Sequence, residues 1–253
     1  MSEMQMEQAA EPTPGLTQMQ RLTSIFSAPS KTFEDIEHGN RSWWMPFLIM
    51  VLVGYMFFAA ISMKVGWAQV AQNVIHANAK AEDQMQQLPE DQRAMRMKFT
   101  QYSIEGSLAA TPVIVLIVIS LGSLVLWGTI NFIFGGKAQF GGIFAAWMYA
   151  GLPGIIKSLL AVIVLFAGMA PESFNLNNPA PTNIGAFLSP TETNAALYRL
   201  ASALDFTTIW SMVLLSIGLA TVAKVKRSSG YLAVFGWWAI IVVISVGWTL
   251  VTG

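Results

Sequence analysis

The sequence predicts an all-α protein, a polytopic integral membrane helical bundle of five transmembrane helices with amphipathic interfacial and loop helices. Five apolar segments, each close to the ~20 residues that a helix needs to cross ~30 Å of hydrocarbon, support this fold class. They cover residues 43–63, 109–134, 142–170, 206–222 and 231–251. Charged residues make up 11% of the chain, whereas a soluble domain carries roughly a quarter. There is too little charge to coat a water-facing surface.

The chain ahead of the first span divides into two parts. Residues 1–14 are polar and rich in Gln, Glu and Met, which predicts a disordered leader. Residues 15–42 predict two cytoplasmic amphipathic helices, and Ser30 is the expected N-cap of the second helix. The first helix has apolar residues at roughly helical spacing, namely Leu16, Met19, Leu22 and Phe26. These helices either lie along the membrane surface or pack under the bundle, and the sequence leaves both alternatives open.

Residues 64–108 predict an outer helical hairpin between the first two spans. Its first helix is expected from about residue 66 to residue 87. The second helix starts after Pro89 and places Met95, Phe99 and Tyr102 on one face.

Residues 171–205 predict a second outer loop with an irregular part and a helical part. Residues 171–186 are rich in Asn and Pro. Ser189-Pro190-Thr191-Glu192 has the pattern of a capping box, so a helix is expected from there to about Leu204.

The positive charges near the span ends predict the orientation in the membrane. Lys224-Val225-Lys226-Arg227 lies directly between two apolar segments without an acidic neighbour, so it should face the cytoplasm. The N-terminus and residues 135–140 are then cytoplasmic as well. No cleaved secretory signal is expected, because about 40 polar or mixed residues precede the first apolar segment.

The third apolar segment carries a row of small residues that are four positions apart. Such a stripe lets two helix backbones approach closely, and in lipid this close packing replaces the missing hydrophobic drive. We therefore predict a helix contact along the residues of this stripe, which are Gly142, Ala146, Ala150, Gly154 and Ser158.

The same segment also contains Pro153 and Lys157. Proline removes a backbone donor and predicts a kink or break. Lys157 is the one fully charged residue inside an apolar span, and a charge in hydrocarbon is costly enough to indicate function. If the helix is straight, Lys157 lies at the bilayer centre and requires a cavity. If Pro153 breaks the helix, Lys157 can extend its ammonium to the headgroups. We favour the break, because it needs no unidentified partner.

Catalysis, metal binding and nucleic-acid binding have little support. The chain has no Cys, and its two histidines, His38 and His76, are in separate segments. It lacks the recognised nucleophile, zinc and phosphate-loop motifs, and the pair Met95 and Met97 does not make a thioether metal site. We expect no enzyme activity and no cofactor. The net charge is zero, without a basic stripe that would bind nucleic acid.

Several short motifs carry a family resemblance. Gly135-Gly136-Lys137-Ala138-Gln139-Phe140, followed by Tyr149 and Pro153, resembles the Gly-rich turn and Tyr-x-x-x-Pro segment of the Yip1 domain family. Asp205-Phe206-Thr207-Thr208-Ile209-Trp210, which leads to Gly218, is similar to the entry into the family's fourth span. The opening Phe26-Ser27-Ala28-Pro29, with Phe33 and Trp43-Trp44-Met45-Pro46, looks like that of bacterial members.

The resemblance covers about residues 20–250 and implies a five-helix domain with a cytoplasmic N-terminus in a bacterial inner membrane. Eukaryotic relatives bind small GTPases and associate with one another, but their Asp-Leu-Tyr-Gly-Pro motif is absent here, which argues against GTPase binding. Expected partners are the lipid bilayer, other membrane proteins and further copies of the chain.

Two functions remain to be weighed. The preferred interpretation is a non-enzymatic membrane scaffold, organisation or assembly factor. The alternative is a small permease with a site near the broken third span, where Asn131, Tyr149 and Ser158 are the polar companions of Lys157. An inverted repeat, which many permeases contain, is not visible.

Overall fold

A computed structural model describes residues 15–252, so the leader predicted for residues 1–14 lies outside the described residues. The α-helices of the described part are, in chain order, α1 Gln18–Ser27, α2 Pro29–Glu37, α3 Trp44–Lys64, α4 Trp67–His76, α5 Ala79–Gln86, α6 Glu90–Ala109, α7 Thr111–Gly128, α8 Phe140–Ala150, α9 Pro153–Phe166, α10 Ala195–Ala203, α11 Phe206–Ala223 and α12 Arg227–Thr252.

Five of these segments are long and apolar enough to cross a membrane, as the sequence predicted. They are α3, α7 with a π-helical turn at Thr129–Ile133, α8 and α9 in succession, α11, and α12. The fold is an all-α bundle, and the chain is a multi-pass membrane protein.

The fourth span, α11, lies at the centre of the bundle. It contacts α2, α8, α9 and α12. In its most apolar 18-residue window 56% of the residues are buried, against 11% in α12 and 17% in α3. Most of the surface of the other spans therefore faces outward, where a membrane-spanning helix meets lipid.

The two N-terminal helices pack against the bundle. Ile25 of α1 and Phe33 and Ile36 of α2 are completely buried, in the same apolar cluster as Leu219 of α11. Of the two alternatives left open by the sequence, the structure selects packing under the bundle.

Several predicted helix boundaries were wrong. The first outer helix, expected over residues 66–87, divides into α4 and α5, because the Asn78 side chain accepts a hydrogen bond from the Ala81 backbone N–H at 3.0 Å and starts a new helix. Ser30 is not the N-cap of α2, which starts at Pro29 after Ala28, since the fixed φ of proline suits a first helical turn.

The second outer loop also differs from its prediction. Residues 190–192 form a turn and not a helix, although the Glu192 backbone N–H donates to Ser189 Oγ at 3.3 Å. The helix begins only at Ala195, because the side chain of Asn194 accepts hydrogen bonds from the backbone N–H groups of Ala196 and Leu197 and is the stronger cap.

Candidate functional site

The third span is interrupted at the predicted proline. The helix α8 ends at Ala150, a turn at Gly151 and Leu152 follows, and α9 begins at Pro153. The Gly154 backbone N–H donates to the Gly151 carbonyl at 3.0 Å, which closes the turn. Since Pro153 is the first residue of α9, its missing N–H costs no hydrogen bond there.

The small-residue stripe is a helix contact over most of its length. A Cβ on Gly142 would lie 2.7 Å from Cγ1 of Val222 on α11, so the Val222 side chain packs into the space that this glycine leaves open. Ala146 and Ala150 are buried in the core between these helices. At Gly154 the packing prediction was wrong, because a Cβ there would have no neighbour within 4 Å. Gly154 borders a cavity instead.

Lys157 has a partner within the protein. Its Nζ lies 3.0 Å from Oδ2 of Asp205, the residue just before α11. The predicted break is present, but the expectation that Lys157 extends its ammonium to the headgroups without a partner in the protein was wrong. The Asp205 side chain is 3% exposed and that of Lys157 26% exposed, so the ammonium is the accessible end of the pair.

Asp205 is saturated with hydrogen bonds. As N-cap of α11, its Oδ1 accepts from the backbone N–H groups of Thr207 and Thr208 and from the Thr207 hydroxyl. Its Oδ2 accepts from Lys157, from the Thr182 hydroxyl at 2.6 Å and from Asn183 Nδ2 at 3.3 Å. Burial opposes ionisation, but the hydrogen bonds from Thr182, Thr207 and Lys157 outweigh it and lower the pKa of Asp205 well below its ordinary value.

A polar network continues from Asp205 into the loop between α9 and α10. Asn183 Nδ2 donates to Asn178 Oδ1 at 2.8 Å, and Asn178 Nδ2 donates to the hydroxyls of Tyr198 and Ser202 on α10. Asn178 and Asn183 are buried. These side chains fix the loop over the start of α11. The sequence analysis missed them, because an Asn-rich loop is typical of an exposed turn.

A cavity of about 570 Å³ lies next to the ion pair, between α7, the third span, α11 and α12. Lys157, Thr207, Thr208 and Ser211 line one end. The rest of the lining is almost entirely apolar, with Trp147, Leu215, Val234, Trp237 and Trp238 among its residues.

Tyr149 belongs to a second polar cluster, at the other end of the bundle. Its hydroxyl donates to Gln18 Oε1 at 2.8 Å and approaches the Ser42 carbonyl at 3.2 Å. The guanidinium of Arg21 lies 5.4 Å from the centre of its ring. Arg21 is buried and forms an ion pair with Asp35 at 3.1 Å.

This second cluster attaches α1 and α2 to α8. The sequence analysis singled out Tyr149 as a candidate site residue but gave no site role to either member of the ion pair. The sequence signal for a buried Arg21 was its place on an amphipathic helix. Its partner Asp35 is fourteen positions away along the chain, so the pairing depends on how α1 and α2 fold together.

The glycine-rich turn before α8 closes the bundle at the same end. Gly135 has a φ of 69°, a conformation that favours glycine. A Cβ on Gly136 would meet the Ile130 carbonyl oxygen at 3.0 Å. Asn131 secures the turn, since its side chain pairs with both the N–H and the carbonyl of Ala138.

In residues 15–252, no group of three or more His, Asp or Glu side chains could hold a metal ion. The five spans, the central α11 and the interrupted third span define a polytopic α-helical membrane protein with two ion pairs inside the bundle. Residues 23–249, nearly the whole chain, match the Yip1 domain, and the protein belongs to this family. No match was found among curated proteins or solved structures.

Proposed function

We propose that this Yip1 domain protein is a non-enzymatic scaffold or assembly factor of the bacterial inner membrane, with its N-terminus in the cytoplasm. The opening motifs support the bacterial location, and the two lysines and the arginine at the turn from α11 into α12 support the orientation. In this role the protein binds other membrane proteins or further copies of itself.

One observation carries the proposal, namely that the buried charges of Asp205, Arg21 and Asp35 are held in fixed contacts within the protein. Asp205 accepts six hydrogen bonds and Arg21 pairs with Asp35. A general base or a transport site needs a polar group that can exchange partners. These side chains hold helices and loops together instead, which is the requirement of a rigid platform.

Photo-crosslinking in native membranes tests the proposal. A photoreactive residue replaces Ile244 of α12, which is 65% exposed, or Leu52 of α3, which is 60% exposed. We expect a protein adduct of discrete mass from at least one of the two positions. Adducts with lipid alone at both positions would contradict a scaffold role.

The permease alternative is favoured by the cavity beside the break at Pro153. A Cβ at Gly154 would meet no atom within 4 Å, so a leucine there has room to extend into the cavity. In reconstituted vesicles, a permease predicts solute uptake that Gly154→Leu abolishes. A scaffold predicts no uptake, and crosslinks that the same substitution leaves unchanged.

A further inference from the structure

The cavity beside Lys157 opens toward the surface that faces lipid. Val125 of α7 and Trp237 and Ile241 of α12 line it and are themselves 43%, 40% and 61% exposed. Trp237 Nε1 donates to Thr129 Oγ1 at 2.9 Å and joins α12 to the π-helical turn. Because these exposed residues line the cavity, it is open on its lateral side, between α7 and α12.

The lining is amphipathic along its length. An acyl chain fits the apolar part, and the volume of about 570 Å³ falls within the ~300–1,000 Å³ of most ligand sites. The polar end presents the ammonium of Lys157 and the hydroxyls of Thr208 and Ser211. Such an arrangement matches a molecule with one polar end and a long apolar tail.

The ion pair of Lys157 and Asp205 determines which charge the polar end of a bound molecule must carry. Asp205 is buried behind Lys157, while Lys157 is partly exposed and lines the cavity. The pair is neutral as a whole, but its positive end faces the cavity. Lys157 Nζ carries three donors and gives one to Asp205, so two are available to an anion.

We propose that this cavity binds one acyl chain of an anionic phospholipid, with the phosphate at Lys157. The inference goes beyond the scaffold role and does not rest on it. In this proposal the third span takes part in selecting the lipid. The break at Pro153 and the open side of Gly154 both contribute to the binding site.

Lipid retention by the purified protein tests this proposal. Protein in detergent is incubated with equal amounts of phosphatidylglycerol and phosphatidylcholine, and the lipid that remains bound is measured by native mass spectrometry. Both lipids carry a phosphate, but the choline ammonium of phosphatidylcholine has the same charge as Lys157, so we expect phosphatidylglycerol to be preferred about tenfold.

Two variants and one control decide the outcome. Gly154→Leu should remove the bound lipid with the thermal unfolding unchanged, because it fills open space. Gly247→Leu is the matched control, since a side chain at Gly247 also meets nothing within 4 Å but lies outside the cavity. Lys157→Met should retain lipid without the preference for phosphatidylglycerol.

Equal retention by the wild-type protein and Gly154→Leu would overturn the proposal, and so would the absence of a preference in the wild-type protein. If Lys157→Met does not fold, the comparison of the two glycine variants still decides. Loss of the lipid site would leave the protein crosslinks of the scaffold experiment unaffected.

Discussion

The ring of Phe33 lies directly against Gly218, so that a Cβ on this glycine would meet Cε1 of the ring at 2.6 Å. Phe33 is on α2 and Gly218 is on the central span. The contact therefore joins the N-terminal helices to the membrane domain through a gap that only a glycine leaves open.

Gly218→Leu is expected to displace Phe33 and to release α2 from the bundle, because the leucine and the ring would occupy the same space. The chain has no cysteine, so a single cysteine at Ile36, which is fully buried, reports the release by its reaction with a thiol reagent. Gly247→Leu serves as the control. Protection of Ile36→Cys in the Gly218→Leu background would contradict the expected release.

Ala146→Leu should overpack the contact between α8 and α11 and destabilise the protein by about 1–3 kcal/mol. Ala146 is completely buried, whereas the control Ala239→Leu places the same side chain on an exposed position of α12. Thermal unfolding in detergent measures both. Equal midpoints for the two variants would remove the packing claim.

Asp205→Asn should destabilise the protein by on the order of 3 kcal/mol, the cost of breaking a buried ion pair. The amide keeps one acceptor oxygen. Either Lys157 and the Thr182 hydroxyl, which bind Oδ2, or the Thr207 hydroxyl and the backbone N–H groups at the start of α11, which bind Oδ1, lose their acceptor. Glu172→Gln, at an exposed position, is the matched change without this effect. Unfolding in detergent gives the difference.

The same carboxylate predicts a pH dependence. Its folded pKa is lowered from an ordinary value of 3.8. The stabilisation from the ionised form is therefore fully present above 3.8, and it is lost as the pH falls through the folded pKa. The stability difference between wild-type protein and Asp205→Asn should be constant near neutral pH and should shrink only in acid below 3.8. A difference that already shrinks above that value would contradict the assignment.

The orientation is tested by labelling single cysteines in intact cells. Ser228 lies in the first turn of α12 and Asn177 lies in the loop between α9 and α10; both are exposed, and they are at opposite ends of α11. An impermeant reagent should label Asn177→Cys and leave Ser228→Cys protected. The reverse result would place the N-terminus outside.

The sequence predicted the spans because length and apolar composition are local properties. It also located the break at Pro153, since proline acts on its own helix. The pairing of Lys157 with Asp205 could not be predicted in the same way. Both residues had been named separately, but they are 48 positions apart, and only the packing of α9 against α11 brings them together.

A second group of features was missed for a similar reason. The burial of Arg21 depends on contacts with α2 and α8, and the order in the loop at Asn178 and Asn183 depends on Asp205. Near the helix ends, Asn78 and Asn194 gave weak local signals that competed with nearby patterns, such as the apparent capping box at Ser189. The sequence therefore located the candidate site through its charges and proline, while its hydrogen-bond network required the structure.

The ion pair also constrains the order in which the spans enter the membrane during synthesis. Lys157 emerges from the ribosome 48 residues before Asp205, and a lone ammonium in hydrocarbon costs at least ~2.5–3.5 kcal/mol. The third span therefore gains its full stability in lipid only after Asp205, at the start of the fourth span, has been synthesised and can pair with Lys157. We therefore expect the insertion of these two helices to be coupled through the ion pair.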